Sequence, residues 1–297
     1  MDVSVIVPVY NRSELLRKAL DSLVGQHTEG TEIIVVDDGS EEDIRKLVTA
    51  HPIKPKYIRH EYNKGGGAAR NTGIRAASGR FVTFLDSDDY YLPGKVSKQL
   101  IHILDSRDPE RTVSVCRAIV IKGNSHRIIP ERFPVYGEPM GDYIFSSSNV
   151  IQMNTIMVSA ALAKNYPFYE KSRQWEDWEF CLKLVTKAKA LLSFLPEPLA
   201  VYVDIPRSGR VSETINYRSL RKVIAIYKDA FSKRKRRALL ANYAWHDTFP
   251  SRIIEVVGRS FWAICSGVIS VRRGIGIFCL ALLGKERTRK LRRKLIR

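Results

Sequence analysis

Residues 80–89 read RFVTFLDSDD, an apolar run of strand type that breaks at once into three carboxylates, Asp86, Asp88 and Asp89. Carboxylates crowded at a strand end repel one another, and hard oxygen ligands of this kind suit Mg²⁺ or Mn²⁺. One reading of Asp86-Ser87-Asp88 is therefore a metal site. The other is a helix cap, with the remaining carboxylates facing water. Two upstream runs favour the first. VSVIVPVY (3–10) leads into Asn11, and EIIVVDDGS (32–40) breaks at Asp37-Asp38. Three apolar strands thus deliver polar groups to one sheet edge, where open α/β folds bind their ligands.

Between these strands the apolar period changes. Leu15, Leu16, Ala19, Leu20, Leu23 and Val24 recur at helical spacing, with Asn11 or Ser13 placed to cap them. Ile44, Leu47 and Val48 mark a second helix, and Lys56–His60 a short strand. Asn63-Lys64-Gly65-Gly66-Gly67 opens a helix through Ala76, which Gly79 closes. The alternation predicts an α/β protein with a mostly parallel central sheet flanked by helices. Further on, the pattern predicts a helix over 96–104, strands within 111–123, 154–159 and 198–203, and a loop-rich stretch around Pro130, Pro134, Gly137, Pro139 and Gly141 that shapes or covers a pocket. No GxGxxG or GxxxxGK[ST] occurs, which argues against the common dinucleotide and phosphate loops. The glycines at 65–67 either present amides to a phosphate or permit close packing where a helix begins; Arg70 follows one turn on. In QWEDWEF (174–180) two tryptophans flank Glu176 and Asp177. An apolar wall raises a carboxylate's proton affinity, as a general base requires, while the first turn of a helix also favours acidic residues through its dipole.

The chain has 297 residues and a net charge of +18, unevenly spread. Residues 215–297 hold 21 Lys and Arg against 4 Asp and Glu, a net of +17, leaving 28 against 27, a net of +1, for residues 1–214. Two regions are expected: a nearly neutral domain, 1–212, that carries the candidate chemistry, and a basic, partly amphipathic helical extension, 213–297. The extension carries Lys233-Arg234-Lys235-Arg236-Arg237 after a helix expected over Tyr217–Phe231. Its later apolar run, Gly274–Gly284, is too short to span a bilayer and lies between basic clusters. It reads as a segment on an anionic membrane surface, or alternatively as a helical pair packed on the domain. Cys116, Cys181, Cys265 and Cys279 are widely spaced, which suggests neither a zinc knuckle nor a disulfide framework. The N-terminus enters a strand pattern directly, with no signal-peptide pattern, so the expected location is cytoplasmic, peripheral on the inner face of the cell membrane.

Five segments together, SVIVPVYNR (4–12), EIIVVDDGS (32–40), NKGGGAARNTGI (63–74), FVTFLDSDDYYLP (81–93) and WEDWEFCLKL (175–184), resemble the inverting family 2 glycosyltransferases of the bacterial surface-polysaccharide kind. That resemblance implies the nucleotide-diphospho-sugar-transferase (GT-A) fold. It implies that Pro8 and Tyr10 line a nucleobase pocket with Asp38 at the base edge, that Arg70 lies near the nucleotide, and that Asp86 and Asp88 hold ribose and a diphosphate-bound Mn²⁺ or Mg²⁺. Asp177 falls where the family places its catalytic base, with Glu176 and Trp178 beside it. Many relatives follow the strand at 198–203 with a His-containing loop; here DIPRSGRVS (204–212) has none, and Arg207 or Arg210 would supply the charge. The implied reaction moves a sugar from a nucleotide-diphospho-sugar, a UDP-sugar, to a hydroxyl of a lipid-linked saccharide in exopolysaccharide, capsule or O-antigen assembly. The alternatives are a sugar nucleotidyltransferase, whose glycine-rich opening loop is absent, and a nucleic-acid binder. Confinement of the charge to the extension, without interleaved aromatics, argues against nucleic acid as a partner.

Overall fold

The computed structural model describes residues 1–26, 30–146, 148–170, 175–204 and 217–248. The strands are β1 (Val3–Val9), β2 (Thr31–Asp37), β3 (Lys56–Arg59), β4 (Phe81–Phe84), β5 (Tyr90–Tyr91), β6 (Thr112–Lys122), β7 (Ser125–Ile129), β8 (Ile156–Ser159) and β9 (Leu191–Val203). They form one sheet in the order β3-β2-β1-β4-β8-β6-β9-β5, with β7 paired to β6. β3, β2, β1 and β4 are parallel; β8 runs against both β4 and β6, and β6 is parallel to β9. Six of the nine strands therefore point one way, and the second half of the sheet is mixed.

β1 and β4 are apolar on both faces because helices cover both sides, and Val3, Val5, Ile6, Val7, Phe84 and Val82 are fully enclosed. The helices of this part are α1 (Ser13–Asp21), α2 (Ile44–Ala50), α3 (Gly66–Ala76), α4 (Lys95–Leu104), α5 (Met140–Ile144), α6 (Ala160–Asn165) and α7 (Glu176–Thr186). α1 buries Leu16 and Leu20, each contributing about 1.5–3 kcal/mol. α3 approaches β1 closely enough that a Cβ on Gly73 would sit 2.4 Å from Ile6 Cγ2, so only glycine fits there.

Neither expected cap serves α1, whose N-cap is Arg12 without a side-chain bond. Asn11, at φ 49°, instead stitches two loops: its Oδ1 accepts the Glu41 amide at 2.7 Å and its amide donates to Ser40 Oγ at 3.0 Å. β9 begins seven residues earlier than the pattern 198–203 suggests, because Pro196 and Pro198 interrupt its ladder with β6 and shift the register after Cys116.

The chain divides into two compact units, Met1–Ser208 and Gly209–Arg297. In the second, α8 (Tyr217–Ile226) ends in a 3-10 turn at Lys228–Ala230, so the helix expected to reach Phe231 stops short. α9 (Lys233–Thr248) packs on α8, and Ser232 Oγ caps it by accepting the Lys235 amide at 3.1 Å. The five consecutive cations thus occupy the first turns of a helix. Among the described residues no helix is long and apolar enough to cross a membrane. Cys116 and Cys181 are buried free thiols; Cys265, Cys279 and the 274–284 run lie outside the described residues.

Candidate active site

β1, β2 and β4 are neighbours with one direction, so the loops at their carboxyl ends gather at one edge. The Asp38 amide donates to Val9 O at 2.8 Å and the Leu85 amide to Ile6 O at 3.0 Å, extending the ladder into the loops. Pro8 is partly buried near the end of β1, and Tyr10 emerges from it 42% exposed, presenting an open aromatic face.

Three carboxylates at this edge are fully engaged by the chain. Asp37 accepts the Ser40 amide at 2.8 Å, the Tyr57 hydroxyl at 2.6 Å and Arg59 Nη1 at 3.0 Å. Asp38 binds His60 Nδ1 at 2.7 Å and accepts the amides of Lys64 at 2.9 Å and Gly65 at 2.8 Å. Asp89 accepts Asn154 Nδ2 at 2.8 Å and the Val203 amide at 3.0 Å, which ties the loop after β4 to the end of β9.

A second set crowds one cation. Arg70, buried on α3, donates to Asp86 Oδ1 at 2.6 Å and to Glu176 Oε2 at 3.1 Å, its guanidinium 5.6 Å from the centre of the Phe168 ring. Two loops and two helices, far apart in sequence, meet here. The glycines explain the close approach: a Cβ on Gly66 would lie 3.2 Å from both Arg70 Nη1 and Glu176 Oε2, and Gly65 takes φ 98°. Of the two readings of this run, close packing is what the geometry displays, since the Lys64 and Gly65 amides already serve Asp38.

Burial works against the Arg70 cation, yet Asp86, Asp177 and Glu176 together hold its pKa above the ordinary arginine value. Burial pushes Glu176 up to about 7, with Asp177 and Asp86 adding to the effect and Arg70 opposing it. Burial also pushes Asp177 up to about 6, with Asp86 adding, while Arg70 and the Met153 amide pull it down. Trp178 stands beside the pair, edge-on to Phe145 at 4.4 Å and 5.0 Å from Trp175. The expected apolar wall is therefore present, and both carboxylates also occupy the first turn of α7.

Asp88 pairs with Arg12 at 3.0 Å. Among the described residues no three His, Cys, Asp or Glu side chains converge as a cage for a metal. A Mg²⁺ or Mn²⁺ ion that keeps waters and shares substrate phosphates needs only one or two protein carboxylates, and the hard oxygens of Asp86 and Asp88 fit that demand. Arg207 and Arg210 lie outside the described residues.

The sequence reading missed His60, Asn71 and Asn154. Asn71 holds residues 168–170 against α3 through Phe168 O at 3.0 Å and Glu170 at 2.8 Å, which sets the ring under Arg70. Each is a buried polar residue, a costly placement unless it is hydrogen-bonded, but only Asn154 interrupts a mostly apolar run, VIQMNTIMV, that could have marked it.

A sheet of this order, with an arginine-bound carboxylate cluster at the carboxyl edge of its parallel half, has the GT-A architecture. The family model for glycosyl transferase family 2 matches residues 4–161, and the chain belongs to that family. An uncharacterized glycosyltransferase of Rickettsia bellii is 33% identical over 67% of this chain, which spans only 28% of that relative's length. The amylovoran biosynthesis glycosyltransferase AmsB of Erwinia amylovora is 28% identical over 72% of this chain and 74% of its own. The Escherichia coli enzyme WfgD, named as a UDP-Glc:alpha-D-GlcNAc-diphosphoundecaprenol beta-1,3-glucosyltransferase, is 37% identical over 34% of this chain and 41% of its own. Among solved structures, S. aureus TarS 1–349 with UDP-GlcNAc matches at a TM-score of 0.59 and 22% identity, over 98% of this chain and 84% of that one. The mannosyltransferase PcManGT of Pyrobaculum calidifontis, with GDP-Man and Mn²⁺, matches at 0.56 and 18%, over 96% and 88%.

Proposed function

We propose that this chain is an inverting glycosyltransferase that moves a sugar from a nucleotide-diphospho-sugar, a UDP-sugar, to a hydroxyl of a lipid-linked saccharide during surface-polysaccharide assembly. The observation that carries this is the Arg70 cluster: a buried cation beside two carboxylates whose pKa values are raised toward neutrality, at the sheet edge. The named activities of AmsB and WfgD support the polysaccharide role and the lipid diphosphate acceptor. UDP-GlcNAc in TarS supports the donor class.

In this reading Tyr10 stacks on the nucleobase, Pro8 lines its pocket, and Asp38 borders the base edge while shaping the 63–65 loop. Asp86 borders the ribose, and Arg70 sets a permanent charge near the diphosphate. Asp177 accepts the proton of the acceptor hydroxyl as that oxygen attacks the anomeric carbon opposite the departing nucleoside diphosphate, so an α-linked donor gives a β-linked product. Direct displacement needs no protein nucleophile. Glu176 neutralises Arg70 from its second side and fixes its aim. Asp86 and Asp88 would hold a divalent cation, which would supply positive charge for the leaving diphosphate. The basic second unit holds the enzyme to the anionic inner face of the membrane.

The test is a panel of nucleotide sugars with Mn²⁺ and a lipid-diphosphate saccharide acceptor, scored by product NMR for anomeric configuration. The expected result is β-linked product from one α-linked donor, lost in EDTA and in Asp88→Asn. An α-linked product would sink the inverting mechanism, and full activity in EDTA would sink the cation.

A further inference from the structure

The second unit contains an open cavity of about 590 Å³ between α8 and α9, within the size range of small-ligand sites, with Arg221, Ala225, Lys228, Lys233 and Arg237 exposed along its rim. Arg221 and Lys228 on one side and Lys233, Arg236 and Arg237 on the other contribute to its wall, and among the described residues no carboxylate lines it. Ile224, Ala225 and Leu240 supply its apolar part. Three of the cations belong to the first turns of α9, where the helix dipole already favours an anion and opposes positive charge. The Arg236 Nε is buried and makes no hydrogen bond among the described residues. Cations gathered at the disfavoured end of a helix, one with an unsatisfied donor, suit a compact polyanion. None of the described lining residues is aromatic, so none of them stacks a nucleobase.

We propose that this cavity binds the phosphate group of a lipid, a phosphomonoester or diphosphate headgroup, with its first apolar atoms against Ile224 and Leu240. A phosphomonoester carries about −1.5 to −2 charges and three acceptor oxygens, and arginine forks match such groups where a diffuse surface charge does not. The assignment rests on the reading of the second unit as membrane-facing and makes it specific. Charge attracts the unit to any anionic leaflet, and the cavity selects the phosphorylated lipid within it.

The test compares full-length protein on phosphatidic-acid and phosphatidylglycerol vesicles of matched zeta potential, with inorganic pyrophosphate as the soluble probe. The wild type is expected to prefer phosphatidic acid by about tenfold, the equivalent of one charge-assisted hydrogen bond. Lys233→Gln with Arg236→Gln should reduce that preference to none. Lys222→Gln with Arg234→Gln removes the same charge from exposed positions outside the cavity and should keep it. Ala225→Trp fills the cavity without changing charge, and should also abolish the preference while leaving phosphatidylglycerol binding intact. Far-UV circular dichroism and melting confirm that each variant is folded. Equal preference in all variants, or none in the wild type, overturns the cavity assignment. Failure of the wild type to bind either vesicle overturns the membrane reading as well. Stabilisation by pyrophosphate that Lys233→Gln with Arg236→Gln removes, without vesicle preference, makes the ligand a soluble phosphate and overturns the lipid.

Discussion

Two groups of carboxylates share one edge of the sheet and live under opposite electrostatics. Asp37, Asp38 and Asp89 each receive at least two hydrogen bonds from the chain, and what they hold is local: a turn, the 63–65 loop, the junction of the β4 loop with β9. Asp86, Glu176 and Asp177 converge on a single guanidinium, and burial raises the last two toward neutrality. The first group is stabilising because its charges are answered. The second shares one cation among three carboxylates, so part of its charge stays unanswered at a place where a diphosphate, a cation and an acceptor proton can answer it, which is how a fold retains chemistry at a cost in stability.

The sharpest break of this contrast is Arg70→Met. Removing the cation leaves its buried partners uncompensated, which costs about 3–5 kcal/mol. The loss should be large at pH 8 and smaller at pH 5, where Glu176 and Asp177 carry protons, and donor binding should fall with it. Urea unfolding at the two pH values measures this; equal losses would make Arg70 a packing residue rather than a charge.

Next in size is Asp177→Asn, with donor binding kept and turnover lower by about 10²-fold or more. Wild-type turnover should climb through pH about 6 as Asp177 ionises. The sign for stability is opposite. Both raised carboxylates hold protons in the folded chain that the unfolded chain has released above about pH 4, so stability falls as pH rises from there to about 7. Asp177→Asn removes part of that slope, and its melting temperature at pH 8 should equal or exceed that of the wild type. If Glu176→Gln is the more damaging to turnover, the base lies one residue earlier.

Much of this edge was legible in the sequence because strand ends are local events: an apolar run that stops at Asp37 or Asp86 announces both the strand and its loop. The convergence of Arg70 with Glu176, 106 residues away, was not, since no local pattern encodes which loops meet. Nor could adjacent carboxylates be sorted. Asp88 and Asp89 look alike in DSDD, yet one pairs with Arg12 and the other latches to Asn154 and Val203, because alternate residues of the loop point to different neighbours. The long strand β9 was hidden by two prolines, and the helix cap was misplaced because Asn11 bonds across to the β2 loop instead of along its own chain.

The smallest effect expected is that of Asp37→Asn, and it probes the answered group. The Asp37 side chain is fully enclosed, and its Oδ2 is shared by the Tyr57 hydroxyl and Arg59. Asparagine can keep the Ser40 amide on its oxygen, but it then turns an NH₂ toward two donors, leaving Arg59 Nη1 without its acceptor while Nη2 keeps the Ser40 carbonyl at 2.7 Å. The cost should be about 1–3 kcal/mol, that of a buried group left unsatisfied. Burial first, then the bond and charge of Asp37, hold the Tyr57 pKa above its ordinary value, with Arg59 opposing. Loss of the Asp37 charge should therefore lower it, which a spectrophotometric tyrosine titration reads directly. The contrast predicts a stability loss without the pH slope of the Arg70 cluster, so melting curves of Asp37→Asn and wild type should run parallel from pH 5 to 8. A gap between the curves that closes as pH rises would show that Asp37 also carries charge the fold leaves unanswered, and the division of this edge into two groups would fail.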